Sequence, residues 1–285
     1  MDGRRSRDGS AMIADPRVVQ AFDDAASRYD RTGAQLVGPV ARRLVEVAGL
    51  ARGQRVLDAG CGAGAVLVRA ARVVRPGAVT GIDLSARMLK RAQGASRALA
   101  NVRVRLADAA SPPFAPASFD AVLASLVLYL LADPGAALRR WHELLTPGGT
   151  VALSWHLAPD PRWAAVYAAV DRYATGATGS PGLDSYLGRL GGRRQVEELL
   201  RRCGYTEVTT TADTIEVCYR GPRHWWDTAW SDAPRLAWQQ IPTTTRDAAR
   251  RDAFTLLDQL REPGGSLLHR PQIGYAAARR PPAPP

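Results

Sequence analysis

The hydrophobic positions follow helical and strand-like periods in turn along the first half of the chain. Apolar residues recur at spacings of three and four over residues 16–50, which predicts helices ahead of the first strand. Short stretches of aliphatic and β-branched residues then follow, most of them separated by helical patterns. They predict strands at residues 55–59, 77–83, 102–106, 119–125 and 150–155. Strands that alternate with helices indicate an α/β protein, with a mostly parallel sheet and helices on both faces.

Regular order is interrupted after residue 155. Prolines and glycines punctuate residues 156–190, which also contain a helical pattern at 163–173, so we expect an insertion over the site. Further helices are predicted at 195–200 and 245–260, and further strands at 207–219 and 272–277. These elements divide the chain into N-terminal helices (16–50), a core (51–155) and a cap with the remaining strands (156–278). Residues 1–15 and 279–285 are expected to be disordered.

The first predicted strand runs into a glycine-rich turn. Its sequence is Val56-Leu57-Asp58-Ala59-Gly60-Cys61-Gly62-Ala63-Gly64, and an apolar helical stretch follows. Glycine is needed where the backbone turns sharply and a ligand approaches without an intervening Cβ. Gly60, Gly62 and Ala65 fit the dinucleotide pattern G-x-G-x-x-G/A. Residues 58–64 also fit D-x-G-x-G-x-G, so the turn alone leaves two classes of cofactor open.

Two carboxylates follow at the ends of later strands. Asp83 ends the second strand, 19 residues after Gly64, where a carboxylate can accept hydrogen bonds from both ribose hydroxyls. Asp83 could instead cap the next helix, but Ser85 can also do so. Asp108 follows the third strand at the same edge of the sheet, where it could accept a hydrogen bond from an adenine amino group. We therefore predict that both carboxylates bind an adenosine moiety.

Composition limits the class of protein. The chain has 285 residues, of which 46% are hydrophobic and 23% charged, as is usual for a soluble globular protein with one large α/β domain. No apolar run approaches the ~20 residues that a membrane span needs. The N-terminal residues are not followed by the apolar stretch of a secretory signal. We expect a cytoplasmic protein that does not act on membranes.

The net charge of +11 raises the question of nucleic-acid binding. All but one of the basic residues are arginines, and they are spread along the chain rather than clustered on one helix or face. This distribution favours a charged surface over a nucleic-acid site. The three cysteines, Cys61, Cys203 and Cys218, have no C-x-x-C spacing, so neither a disulfide framework nor a metal site is predicted.

The order of these motifs resembles the class I methyltransferases that depend on S-adenosylmethionine (SAM). The resemblance is to their small-molecule branch, which includes enzymes of ubiquinone and menaquinone biosynthesis and actinobacterial tailoring enzymes. It covers roughly residues 18–155. The resemblance rests on residues 22–30, 56–64, 81–88, 107–109, 118–120 and 145–149. The resemblance implies a Rossmann-like fold with a seven-stranded sheet, N-terminal helices and a small cap after the fifth strand.

The resemblance also implies roles for individual residues toward SAM. Gly60 and Gly62 would line its methionine moiety, and Asp83 would bind its ribose. The adenine would be held by Leu84, Met88, Asp108 and the adjoining Ala109, although Met88 has an equally good interpretation as a core residue. Ser125 would contribute backbone near the amino-acid part. Tyr29 would close over the cofactor and adjoin the acceptor.

Candidates for the chemistry lie at the ends of the strands and in the cap. His156 directly follows the fifth strand and, with an imidazole pKa near 6.5, could be a general base for an alcohol or phenol acceptor. It could equally be a histidine packed under the insertion. His142 is expected on the surface. The segment 221–238 contains four tryptophans, of which Trp225 and Trp226 are candidates to line an acceptor pocket. Packing within the cap is expected for two of the four.

Three functions remain open at this point. The favoured one is a SAM-dependent methyltransferase that acts on a small, apolar metabolite, with oxygen favoured over carbon or nitrogen. A second is an NAD(P)-dependent oxidoreductase, but Lys90, the only lysine, lacks the tyrosine of a Y-x-x-x-K motif. A third is a protein, such as a cyclase, that keeps SAM as a scaffold without transferring the methyl group.

Overall fold

The computed structural model describes residues 16–26, 34–178, 188–230 and 238–283. Among these residues, two helices precede the first strand, as predicted, and seven follow it. They are α1 (Pro16–Ala25), α2 (Ala34–Val47), α3 (Ala65–Val74), α4 (Ala86–Ser96), α5 (Pro134–Leu144), α6 (Ala164–Thr178), α7 (Arg193–Arg202), α8 (Pro222–Ala229) and α9 (Arg246–Asp258). Three short 3₁₀ helices lie at Leu128–Leu130, Pro161–Trp163 and Gly188–Leu190.

Nine strands form two sheets in the described part of the chain. They are β1 (Arg55–Ala59), β2 (Ala78–Asp83), β3 (Val102–Leu106), β4 (Phe119–Ser125), β5 (Leu145–Ala158), β6 (Thr206–Thr214), β7 (Val217–Tyr219), β8 (Leu267–His269) and β9 (Gln272–Arg279). The main sheet has the order β3-β2-β1-β4-β5-β9-β6, in which β9 runs antiparallel to β5 and β6. The prediction of a mostly parallel, seven-stranded sheet is confirmed.

Helices cover both faces of the main sheet. On one face, α2, α3 and α4 bury an apolar cluster that includes Leu44, Leu67 and Leu89. On the other face, α5 and α7 bury a second cluster around Trp141 and Leu200. Because β1 and β4 lie in the middle of this sheet, their central residues, Val56-Leu57 in β1 and 121–124 in β4, are apolar and buried on both sides.

A third apolar cluster forms the cap. Helices α6, α8 and α9 pack around the small β7–β8 sheet, and their core contains Trp163, Trp225 and Trp238. The cap follows β5, as predicted. No helix among the described residues is both long and apolar enough to span a membrane.

Two sequence predictions about the C-terminal half are wrong. Residues 207–219 form two strands instead of one, because the amide of Ile215 donates to Pro271 outside the ladder and β7 then pairs with β8 in the cap. The described part of the tail, residues 279–283, begins with Arg279, which ends β9, and Arg280 donates hydrogen bonds to the carbonyls of His142, Glu143 and Leu145 at the end of α5. The Arg280 backbone also pairs with residues 148 and 149.

His142 is a further correction, because it is half-buried instead of exposed. Its ring meets the ring of Tyr205 edge to face at 5.0 Å. Burial, followed by the charge of Arg280, lowers the pKa of His142. Residues 1–15 and Tyr29, for which disorder and a closing role were predicted, lie outside the described residues.

Candidate active site

A cavity of about 520 Å³ opens at the carboxyl ends of the parallel strands, where open α/β sheets bind ligands. It extends from the glycine turn after β1 to the loop after β4. Helix α1 closes part of it with Val19 and Phe22. The described lining includes nine of the residues that the sequence singled out: Gly60, Gly62, Asp83, Leu84, Met88, Asp108, Ala109, Ser125 and His156.

The glycine turn needs its glycines for two separate reasons. Gly60 has a φ of +74°, and a Cβ at this residue would lie 2.6 Å from a methyl group of Val127. Gly62 has a φ of +51° and open space where a Cβ would be, so its backbone can approach a ligand. The turn is tied to β2, because the amides of Gly60 and Cys61 both donate to the Ile82 carbonyl.

Asp83 sits where the turn meets β2. Its carboxylate accepts hydrogen bonds from the amides of Gly62 and Ser85, each at 2.8 Å. Burial raises the pKa of Asp83, and these two amides oppose the effect. The capping role belongs to Ser85, whose hydroxyl accepts from the Met88 amide at 3.0 Å. The side chain of Asp83 therefore retains acceptor capacity for a ligand in the cavity.

The adenine end of the proposed site is built on β3 and α4. The Asp108 carboxylate accepts a hydrogen bond from the Ala110 amide at 2.8 Å, which fixes its direction. Met88 is 1% exposed and also lines the cavity, so its packing in the core is confirmed and its contact with adenine stays a prediction. Leu84 and Ala109 complete this end of the cavity.

Asp58, at the end of β1, is a buried carboxylate that lines the cavity. Neither of its oxygens has a hydrogen-bond partner among the described residues. Burial raises its pKa to about 7, only partly opposed by the nearby Leu67 amide. An unpaired buried carboxylate favours a positively charged ligand. SAM, which the resemblance implies, carries a sulfonium and an ammonium group, so the residues present fit it.

The loop after β4 is held in an unusual conformation. Leu126 has a φ of +57°, which is uncommon for a residue with a branched side chain. Its amide donates to the carbonyl and to the hydroxyl oxygen of Ser154 on β5, at 3.1 and 3.2 Å. The Ser154 hydroxyl lies 3.3 Å from that of Ser125. The fully buried Ser154 thus fixes the corner that faces the cavity.

His156 lines the cavity as predicted, but its acid–base properties differ from the prediction. Its ring meets that of Tyr129 edge to face at 5.6 Å, and the residue is half-buried at the wall of the cavity. Burial lowers the pKa of His156 to about 4. This value lies below the pKa near 6.5 on which the role of a general base was predicted.

The two tryptophans predicted to line an acceptor pocket lie elsewhere. Trp225 and Trp226 belong to the apolar cluster of the cap and are absent from the described lining of the cavity. Trp226 stacks on Trp238 with ring centroids 5.3 Å apart. Three of the four tryptophans are buried, where sequence reasoning expected packing for two. A role for Trp225 and Trp226 toward the acceptor has no support from the cavity.

Sequence reasoning missed Arg69, which also lines the cavity. One arginine among many on a helix gives no signal in the sequence. It also missed that Asp58 is unpaired, since only the tertiary structure shows which donors surround a carboxylate.

Comparisons with known proteins identify the family of the chain. A family model described as "Methyltransferase domain" matches residues 57–153. Nocamycin O-methyltransferase from Saccharothrix syringae is 34% identical over 275 residues, covering 92% of this chain and 98% of that protein. Aklanonic acid methyltransferase DauC from Streptomyces sp. (strain C5) is 40% identical over 141 residues, covering 48% of this chain and 64% of that protein.

Solved structures show the same fold. The YcgJ protein from Bacillus subtilis matches with a TM-score of 0.60 and 17% identity, over 85% of this chain and 98% of that one. The sheet order, the glycine turn and a relative aligned over nearly its whole length lead to one assignment. The chain belongs to the class I SAM-dependent methyltransferases, of the type found in natural-product biosynthesis.

Proposed function

We propose that the enzyme transfers the methyl group of SAM to a carboxylate oxygen of a small, largely apolar natural product and forms a methyl ester. The observation that carries this proposal is the position of His156 in the wall of the cavity where the acceptor must bind, in surroundings that lower its pKa to about 4. The apolar side chains of Phe22, Leu126, Leu130 and Leu131 provide walls for a hydrophobic acceptor.

The protein's contribution is mainly alignment. Bound SAM supplies a methyl group that its sulfonium already activates for transfer to a nucleophile. Asp83 and Asp108 hold the adenosine end, while the unpaired carboxylate of Asp58 is available to the positively charged end. The glycine turn lets the backbone approach without a Cβ. These contacts fix the direction in which an acceptor must approach the methyl group.

The acid–base balance favours an acceptor that is already ionised. An alcohol or a phenol must lose a proton, and a base with a pKa of about 4 removes such a proton poorly at neutral pH. A carboxylate needs no base, because it is negatively charged before it binds. His156 then remains neutral and orients the acceptor through a hydrogen bond instead of removing a proton.

The names of the two relatives agree with this proposal. One is an O-methyltransferase, and the other is named for an acid as its substrate. We also propose that the enzyme acts in the cytoplasm. Its substrate in this proposal is a small molecule and not a nucleic acid.

The test is a label-transfer assay that separates esters from other products. The enzyme is incubated with SAM labelled in its methyl group and a metabolite extract of the source organism, and the product is then treated with alkali. A methyl ester releases volatile labelled methanol, whereas aryl ethers and C-methyl products retain the label. Alkali-stable label would contradict the carboxylate proposal.

The matched control is Asp83→Ala. It removes the acceptor for the ribose hydroxyls, so it should lower the SAM affinity about tenfold or more and abolish labelling at limiting SAM. Tight binding of SAM by the wild-type protein without any labelled product would instead support a protein that keeps SAM as a scaffold.

A further inference from the structure

Arg69 is the only arginine or lysine in the described lining of the cavity. It lies on α3, one turn after the glycine loop, and is half-buried. Its Nη1 donates to the Ala65 carbonyl at 2.8 Å, which is the one hydrogen bond that it makes to a described residue. A guanidinium has five donors, so four have no hydrogen-bond partner among the described residues and can reach a ligand. No carboxylate among the described residues forms an ion pair with it.

The neighbours of Arg69 indicate which end of the cavity its side chain is near. Its Nη2 lies 3.9 Å from the point where a Cβ on Gly38 of α2 would be. Helix α2 packs against α3, β4 and β5. Those two strands lie on the opposite side of β1 from β2 and β3, which carry Asp83 and Asp108. Arg69 therefore extends from α3, which packs against β1 and β2, toward α2 and hence toward the side of β1 that contains the β4 corner and His156.

We propose that Arg69 is a specificity-determining residue that binds a carboxylate at the β4 end of the cavity. Arginine matches a carboxylate geometrically, because its parallel N–H groups reach both oxygens. Two ligands present this chemistry there, namely the amino-acid moiety of SAM and the acid group of the acceptor. The assignment to the carboxylate of the acceptor rests on the proposed function, whereas the assignment to the carboxylate of SAM does not. Asp58, which lines the same cavity, provides the opposite charge for an ammonium group.

The first arm tests the cofactor. Arg69→Gln and wild type are titrated calorimetrically with S-adenosylhomocysteine and with 5′-methylthioadenosine, which lacks the amino-acid carboxylate. If the SAM carboxylate is the ligand, affinity for S-adenosylhomocysteine falls about tenfold or more, as expected for a lost hydrogen bond to a charged group. Affinity for 5′-methylthioadenosine stays the same. Arg69→Lys, which retains the charge, should restore part of the loss.

The second arm tests the acceptor. With the protein saturated with S-adenosylhomocysteine, the rise in melting temperature caused by benzoate is compared with that caused by benzamide, its neutral counterpart. If the acceptor carboxylate is the ligand, wild type favours benzoate and Arg69→Gln loses that preference, while its affinity for S-adenosylhomocysteine is unchanged. The matched control is Arg72→Gln, which removes an exposed arginine from the same helix.

Two outcomes would overturn the assignment. One is an Arg69→Gln protein that behaves like wild type in both arms. The other is an equal loss of affinity for S-adenosylhomocysteine and 5′-methylthioadenosine, because that would indicate a distorted site. An alkali-stable methyl product would disprove the carboxylate acceptor but leave the calorimetric result standing, so the two proposals fail separately.

Discussion

At the scale of one residue, the buried carboxylate of Asp58 makes the cavity favourable for a positively charged ligand. Burial, without a hydrogen-bond partner among the described residues, makes its ionised form unfavourable and raises its pKa to about 7. A cation in the cavity would compensate for that cost. Binding of SAM should therefore remove the proton from Asp58.

The first prediction is a pH dependence of SAM affinity. Between about pH 5.5 and about pH 7.5, affinity should rise roughly tenfold or more and then level off, because Asp58 must be ionised to pair with the cofactor. Calorimetry across this range measures it. Asp58→Asn should bind SAM more weakly and with a flat profile. If the SAM affinity of this variant depended on pH as it does in wild type, the titrating group would not be Asp58.

The raised pKa of Asp58 also makes the stability of the protein depend on pH. Stability falls as the pH rises, whereas SAM affinity increases. The folded protein holds a proton on Asp58 that the unfolded chain releases above its ordinary pKa of 3.8. The contribution of Asp58 to stability is therefore fully present below that value and is lost as the pH rises to about 7. Without SAM, Asp58→Asn should remove this loss, which denaturant titrations at several pH values would detect.

The second prediction concerns His156. Because its folded pKa is about 4, the pH–rate profile should have no limb near 6.5, the ordinary value for histidine. His156→Gln should lower kcat by no more than about tenfold, since it removes an orienting contact instead of a base. A loss of about 10² or more, with a limb near 6.5 in wild type, would establish His156 as the general base.

At the scale of elements, α1 is attached to α4 by hydrogen bonds beside the cavity. Asp23 on α1 accepts a hydrogen bond from the Ser85 hydroxyl, which also caps α4. Arg87 donates to the Asp23 carbonyl at 3.3 Å. Because Val19 and Phe22 on α1 line the cavity, this contact holds one wall in place.

The third prediction follows from that contact. Asp23→Ala should speed SAM dissociation about fivefold, the effect of about 1 kcal/mol from one lost hydrogen bond. It should change the melting temperature little, because Ser85 still caps α4. Stopped-flow displacement of SAM measures the rate. The control is Asp24→Ala, whose carboxylate bonds within α1 to Gln20. Equal effects of the two substitutions would mean that α1 is loosened generally.

The central elements could be predicted from the sequence, whereas the cap and tail could not. Strands β1 and β4 are buried on both faces, so their apolar runs mark them directly. The threonine- and valine-rich residues 207–219 have one continuous strand propensity, and the break at Ile215 depends on Pro271, which is far away in sequence. The order of Arg280 likewise depends on carbonyls at the end of α5.

The same distinction applies to the site. Gly60, Gly62 and Asp83 were predictable, because their spacing around a strand and a turn fixes where they meet. The pKa of His156 was not, since it depends on how the surrounding residues enclose the ring. The separation of Trp225 and Trp226 from the cavity depends on how the cap packs.

At the scale of the whole molecule, the charge of +11 is distributed over an arginine-rich surface. Many of these arginines pair with carboxylates, both within helices, as in Arg194–Glu198, and between elements, as in Arg43–Asp213. Because of these ion pairs, negative charges lie between the positive ones, and the surface is not uniformly basic.

The fourth prediction is that nucleic acid binds only weakly and without selectivity. In gel-shift titrations at physiological salt, RNA and DNA of unrelated sequence should bind alike, and modest increases in salt should abolish the binding. Tight binding of one RNA in preference to others would contradict a small-molecule enzyme.

The position of β9 has a consequence for how the enzyme is made. Residues 272–279 fill the place between β5 and β6, so β5 has an unpaired edge until the ribosome has translated and released them. An exposed strand edge readily pairs with other chains. A nascent chain that stalls before residue 272 would therefore carry the whole glycine turn and most of the cavity lining, yet would be a substrate for chaperones instead of an enzyme.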